Sequence, residues 1–251
     1  MGNYETQVLI FQSQGAMRDF VISRWSEISA RSIKKNGVFR AALSGGETPV
    51  ALYERLAEEE GLDWDKTELY QVDERFVPED DPDSNLRMIR RTLIDRINIP
   101  AGNIIRVPAD APDPHIAAER YETLIREKMG LSEGQLPRFD LVLLGIGKDG
   151  HTASLFPGDD LLFEKCRIAA PAFPESAKSA RSGRSGHSRV TITFPVINRA
   201  RHIFFLVIGK EKAPAFKKAV TGDPAVPAAL VKPMRGELVF IADRQAGSGL
   251  Q

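Results

Sequence analysis

The sequence predicts an α/β fold, a mostly parallel sheet with helices on both faces. Three observations lead there. Apolar runs of strand length alternate with helical patterns from end to end, and such alternation implies right-handed crossovers packed on both sides of one sheet. No internal repeat or change of composition divides the chain, so residues 1–251 read as one domain. At this length a chain buries roughly 70% of its extended surface, and one core suffices without a metal or disulfide staple.

The elements follow in order. Val8–Phe11 is a short β-rich run. Met17, Phe20, Val21, Trp25 and Ile28 then fall at helical spacing, and Asn36-Gly37 reads as a C-cap. Val38–Leu43 is the next strand, Ser44–Pro49 its turn, and a helix through Tyr53 and Leu56 is expected to stop near Gly61, with Thr48 as N-cap and Pro49 in its first turn. A strand near Leu69–Val72, a loop to Asp83 and a helix capped by Ser84 come next. Ile104–Val107, a helix over Pro114–Met129, and the apolar strand Phe139–Leu144 follow. Arg189–Phe194, Ile203–Ile208, a helix from about Lys210 and a last strand at Leu238–Ile241 complete the pattern. Glu175–Ser188, rich in Ser, Gly and basic residues, reads as a mobile insertion.

Composition narrows the function classes. With 34 basic and 34 acidic side chains the formal charge is zero, against the basic excess of an electrostatically driven nucleic-acid binder. Apolar residues at 42% and charged residues at 27% suit a folded chain. The single Cys166 favours a reducing compartment. There is no run of ~20 apolar residues and no signal-peptide pattern, so a cytoplasmic protein without membrane partners is expected.

In sheets of this type ligands bind at the carboxyl ends of the strands, where the sequence sets three unusual loops. In Ser44-Gly45-Gly46-Glu47-Thr48-Pro49 two glycines permit close backbone approach to a ligand. The following helix aims free amides at it, a natural phosphate site with Ser44 and Thr48 hydroxyls as extra donors. No Gly-Lys-Ser/Thr follows, so it is not a Walker A loop. In Asp73–Pro78, Arg75 can fork onto a phosphate or carboxylate while Asp73 or Glu74 orients it. Gly145–Pro157 contains a formal G-x-G-x-x-G. Pro157 curtails the helix a dinucleotide site would need, and no acidic residue stands suitably placed downstream. His151, two residues after Asp149, offers an imidazole that titrates near neutrality beside an orienting carboxylate. A G-x-S-x-G elbow, an H-E-x-x-H pair and a zinc set of cysteines are all missing.

Taken in order, Leu43–Pro49, Asp73–Pro78 with Ser84-Asn85-Leu86, Gly145–Pro157, Arg189–Thr193 with Ile197-Asn198, and Gly209–Lys212 resemble the 6-phosphogluconolactonase family over nearly the whole chain. The resemblance implies a three-layer α/β fold of modified Rossmann-like type shared with glucosamine-6-phosphate deaminases. It implies hydrolysis of 6-phospho-D-glucono-1,5-lactone, with no metal or organic cofactor and a monomer or weak homodimer. On that reading the phosphate sits on Ser44, Gly45, Gly46 and Thr48 with Lys212 and Arg189 adding charge. Asp73 belongs to the substrate-binding set. His151 activates water or protonates the departing ring oxygen, Asp149 orients it, and Arg75 anchors substrate or stabilises the oxyanion. Two stretches depart from the family pattern: the basic segment before Arg189, whose Lys178, Arg181 and Arg184 read as a solvated flexible loop or, alternatively, as charges that draw in an anionic substrate, and Leu238–Asp243, which keeps an Asp after a strand without a nearby Trp.

Two rival functions are defined by what they would need. A related deaminase continues its His loop into Asn-Glu-Pro, where this chain has Leu155-Phe156-Pro157 and no carboxylate. A sugar-phosphate sensor would need an output module such as a DNA-binding helix-turn-helix, and none is visible.

Overall fold

The computed structural model describes residues 4–174 and 186–250. Seven parallel strands form the main sheet: β1 (Tyr4–Phe11), β2 (Phe39–Leu43), β3 (Thr67–Gln71), β5 (Ile104–Ile105), β6 (Leu141–Gly145), β9 (His202–Val207) and β10 (Gly236–Asp243). Their order is β1-β10-β9-β6-β2-β3-β5. β1 pairs with β10 along its whole length, Tyr4 opposite Gly236 through Phe11 opposite Asp243.

Alternation along these strands sorts the apolar side chains onto two faces. Ala41, Leu43, Leu141, Leu143, Phe204 and Ile241 pack with Val21, Trp25, Tyr53 and Ile89 of helices α1 (Gln14–Asn36), α2 (Val50–Ala57) and α3 (Asn85–Thr92). Ala42, Val142, Leu144, Phe205 and Phe240 pack with Tyr121 and Ile125 of α4 (Pro114–Met129) and Phe216 of α6 (Ala213–Thr221). The sheet therefore carries helices on both faces, as the strand–helix alternation predicts. A short helix, α5 (Phe194–Ile197), precedes β9. α1 is closed at both ends: Ser13 Oγ accepts from Ala16 N–H, and Gly37 stops it at φ 78°, as the Asn36-Gly37 pair predicts.

The structure corrects several expected elements. Arg189–Ile192 (β8) does not join the parallel sheet; with β4 (Asp73–Arg75) and β7 (Ala169–Ala172) it forms a separate antiparallel sheet in the order β4-β8-β7. Asp73–Arg75, expected in a loop, is thus a strand, its backbone paired opposite Arg189–Thr191. Thr48 does not cap α2. The helix begins after Pro49 without a side-chain cap and ends at Ala57, short of Gly61. The expected helix from Lys210 opens as a 3₁₀ turn, Lys210–Lys212, before α6. Of the basic stretch 175–188, residues 175–185, with Lys178, Arg181 and Arg184, lie outside the described residues. Its last part is docked, with His187 Nε2 3.0 Å from Asp83 Oδ2 and Phe76 N–H donating to Ser188 O. Among the described residues no helix is long and apolar enough to cross a membrane.

Candidate active site

At the carboxyl ends of β2, β6 and β9 a cavity of about 740 Å³ opens between the strands and the small sheet. It brings together the catalytic and substrate-binding residues that the sequence proposes, but not Glu74, the alternative partner of Arg75. Ser44, Gly45, Gly46 and Thr48 line it from the loop after β2. Asp73, Arg75 and Arg189 come from the small sheet, and Asp149, His151 and Lys212 from the loops after β6 and β9.

The loop after β6 holds the imidazole. His151 Nδ1 lies 2.6 Å from Asp149 Oδ1, which also accepts the His151 backbone N–H at 3.1 Å. Burial pushes the Asp149 carboxyl up, but the hydrogen bond and charge of His151 outweigh that, and the group sits below the usual carboxylate range. The loop is closed on itself by Gly147 N–H to His151 O and Gly150 N–H to Gly147 O, and Ala228 N–H ties Gly150 O to the turn before β10. Glycine at 147 is a steric requirement: a Cβ there would stand 2.1 Å from His151 Nδ1 and 2.5 Å from Asp149 Oδ1. Phe156 packs on the ring, centroids 4.8 Å apart, and the Arg189 guanidinium lies 5.6 Å from the Phe156 centroid. Ala153, at the cavity wall, sits at φ 50°, a conformation that a non-glycine residue adopts at a cost.

The loop after β2 is built to present backbone. The amides of Gly45, Gly46, Glu47 and Thr48 donate to no protein acceptor among the described residues. Gly46 takes φ 88°, and a Cβ on Gly45 would strike Asn85 at 1.9 Å. The Ser44 hydroxyl, expected to face a phosphate, instead donates to Leu143 O at 2.7 Å, while Tyr53 O–H donates to Ser44 O. A hydroxyl has one proton to give, so Ser44 ties β2 to β6 and its donor is spent.

The small sheet positions the cations. Asp73 is buried, accepts from Ser154 Oγ at 2.6 Å and stands 3.7 Å from Arg189 Nη1. Burial draws the Arg189 guanidinium below its usual value; Asp73 opposes this and Arg75 reinforces it. Arg75 donates through Nη1 to Asp83 O. The Nε atoms of Arg75 and Arg189 are buried without a protein acceptor among the described residues.

Three residues named from the sequence have supporting roles that the sequence does not reveal. Glu74, within the charged run, points away from the cavity and accepts from Arg75, Asn85 and Leu86 N–H and from the Gln71 amide. It caps α3, and burial pushes its carboxyl up despite these donors. Asn85 donates to Asp73 O at 2.9 Å and wedges against Gly45. Asp243, noted only as an Asp after a strand, accepts Gly209 and Ala246 N–H and so fixes the turn that carries Lys212. An acidic residue followed by a helix cap (Glu74 before Ser84-Asn85) is the one signal in the sequence that points to this network.

Charge and shape suit a small phosphorylated ligand: free amides, four cations (Arg75, Lys148, Arg189 and Lys212) and an oriented imidazole around one cavity. Among the described residues no three His, Cys, Asp or Glu side chains lie together as a metal set would.

Comparison with known proteins agrees with this geometry. Residues 12–240 match the family model for glucosamine-6-phosphate isomerases/6-phosphogluconolactonase. A 6-phosphogluconolactonase of Synechocystis is 41% identical over 224 residues, covering 88% of each chain, and one of Nostoc is 39% identical over 222 residues, covering 87% of this chain and 88% of that one. The crystal structure of 6-phosphogluconolactonase from Thermotoga maritima superposes at a TM-score of 0.80 with 31% identity, covering 96% of this chain and 100% of that one. A monomeric glucosamine-6-phosphate deaminase, at 22% identity and a TM-score of 0.78 over 97% of this chain and 99% of that one, shares the fold. With loops, cavity and relatives in agreement, the chain belongs to the 6-phosphogluconolactonase family of hydrolases.

Proposed function

We propose that this chain hydrolyses 6-phospho-D-glucono-1,5-lactone to 6-phospho-D-gluconate, the second step of the oxidative pentose phosphate pathway. Water attacks directly, without a covalent intermediate or a metal. It works as a single domain over residues 1–251, a monomer or weak homodimer in the cytoplasm. The observation that carries the reading is the 2.6 Å contact of His151 Nδ1 with Asp149, on the same cavity as the free amides of the loop after β2.

With Nδ1 committed to Asp149, Nε2 is the ring atom left to take a proton. Water adds to the lactone carbonyl carbon and gives its proton to Nε2. The tetrahedral oxyanion is met by Arg75 or Arg189. The bond from that carbon to the ring oxygen then breaks, and the proton on Nε2 passes to the departing oxygen. Asp149 holds the imidazole in the tautomer this sequence needs and stabilises its charged form. The substrate phosphate rests on the amides of Gly45 to Thr48 with Lys212 as counter-charge. Asp73 acts through Arg189, which it orients, and Ser44 acts through the backbone of its loop.

The test generates the 6-phospholactone in situ with a glucose-6-phosphate dehydrogenase and follows its decay with and without the protein. Decay well above the spontaneous rate, falling ~10²–10⁴-fold in His151→Asn, is expected. Ammonia release from glucosamine 6-phosphate without lactone turnover would identify a deaminase instead. Binding of sugar phosphate with neither reaction would identify a sensor.

A further inference from the structure

The opposite end of the sheet carries a second concave feature. A cavity of about 260 Å³ opens at the amino ends of β9 and β10, beside the last turn of α1. Arg31, Lys35, Arg138, Arg201 and Arg235 line it, and no Asp or Glu is among its lining residues. In a chain whose 34 basic and 34 acidic residues cancel, that is a strong local excess.

Nearby carboxylates are already engaged. Glu27 pairs with Arg24 and Arg31, each at 2.6 Å, and Glu237 pairs with Arg24 at 2.8 Å and His202 at 2.7 Å. Asp140 pairs with Arg201 at 3.1 Å and accepts Arg40 N–H. Lys35, Arg138, Arg199 and Arg235 make no ion pair among the described residues. Arg138 is held in place by donation to Arg199 O at 3.1 Å and Arg235 O at 3.3 Å, which leaves the rest of its fork of donors unspent. Burial lowers the Arg138 guanidinium below its usual value, and the charges of Arg201, Arg199 and Arg235 lower it further.

A structural explanation covers only part of this. Basic residues at a helix carboxyl terminus complement its dipole, which accounts for Lys34 and Lys35 in the last turn of α1. It does not account for Arg138, Arg199 and Arg235, which arrive from the segments before β6, β9 and β10. The cavity is smaller than the ~300–1,000 Å³ of a pocket for a drug-sized ligand, so its occupant is small. Planar guanidinium forks favour oxyanions with several acceptors, phosphate foremost. β9 spans His202–Val207, which at ~3.3 Å per residue sets the two cavities roughly 20 Å apart.

We propose that this cavity binds a small phosphate-bearing anion through its phosphoryl oxygens, using Lys35, Arg138 and Arg235, at a site separate from the candidate active site. The experiment is a titration of the ¹⁵N-labelled full chain with inorganic pyrophosphate and, in parallel, with adenosine diphosphate, at constant ionic strength, read by amide chemical shifts. Saturating shifts at Asn36, Gly37, His202 and Gly236 are expected with both anions, with a Kd of about 1 mM or tighter. Lys35→Glu with Arg235→Glu should weaken them about tenfold or more while leaving any shifts at Gly45 and Gly46 in place. If the double charge reversal does not fold, Lys35→Gln with Arg235→Gln serves the same purpose. Silence of those amides at about 10 mM anion, unchanged affinity in the variant, or a response to adenosine diphosphate without one to pyrophosphate would overturn the proposal. Because the two sets of amides report independently, failure here and failure of the phosphate loop after β2 are distinguishable.

Discussion

The two glycine-rich loops of the cavity use glycine for different ends. In the loop after β6, Gly147 makes room for side chains of its own loop, since His151 and Asp149 occupy the space where a Cβ would project. In the loop after β2, Gly45 makes room for a neighbour, Asn85, while Gly46 supplies a left-handed turn. One loop packs tightly around the His151–Asp149 contact; the other clears side chains away so that amides face the cavity. A methyl group should therefore damage turnover in the first loop and binding in the second.

The sharpest break of that contrast is Gly147→Ala. Its Cβ cannot coexist with the dyad as it stands, so the imidazole or the carboxylate must move, and misplacement by about an ångström costs ~10²-fold in rate. We expect kcat to fall by about that factor with KM little changed, measured on in situ lactone. Gly46→Ala, by contrast, pays for a positive φ with about 1 kcal/mol of stability and should raise KM more than it lowers kcat. Equal loss of kcat in both variants would abolish the distinction.

Lys212→Ala probes the binding side. A charge-assisted hydrogen bond is worth ~1.5–3 kcal/mol, so KM should rise about tenfold or more while kcat holds. The lysine is placed by Asp243 through Gly209, so Asp243→Asn should reproduce part of the KM effect without removing any charge that touches substrate. A kcat effect as large as that of Gly147→Ala would move Lys212 from binding into the chemistry.

How much of this was legible in the sequence depends on where the determinant lies. The loops after β2 and β6 declare themselves because their glycines, Pro49 and the Asp149–His151 spacing are local. The parallel sheet is legible because most of its strands carry an apolar run such as Leu141–Leu144. The small antiparallel sheet is not: Asp73–Arg75 is three charged residues and Ala169–Ala172 contains a proline, so neither shows β alternation. Their pairing is decided by long-range contacts, including Ile192 N–H to Val72 O, that no window of sequence contains. For the same reason Glu74 is read as a site carboxylate from its neighbours, whereas its actual partners lie in the first turn of α3.

Acid titration sharpens the role of the dyad. The folded-state Asp149 carboxyl lies below its unfolded value, so its contribution to stability is present above the unfolded value, about 3.8, and is lost as pH falls through the lower folded one. The His151–Asp149 contact should thus persist down to about pH 4. Asp149→Asn should flatten the most acidic part of the stability curve, measured by thermal unfolding across pH 2.5–5. An unchanged acid limb in that variant would mean that the contact with His151 does not hold the carboxylate in solution.

The smallest effect on activity is expected at Ser44, and there the loop after β2 meets its own test. Its hydroxyl spends its proton on Leu143 O, and the position is buried. Ser44→Ala leaves that carbonyl without a partner, a loss of about 1–3 kcal/mol in stability, seen as a lowered midpoint in denaturant. If the phosphate is held by backbone amides and Lys212, KM for the lactone should change less than about threefold, because a neutral hydrogen bond to substrate would be worth more than that. A tenfold rise in KM with stability intact would mean that the hydroxyl turns from Leu143 toward the ligand on binding. The loop would then present a side chain after all, and its contrast with the loop after β6 would be one of degree.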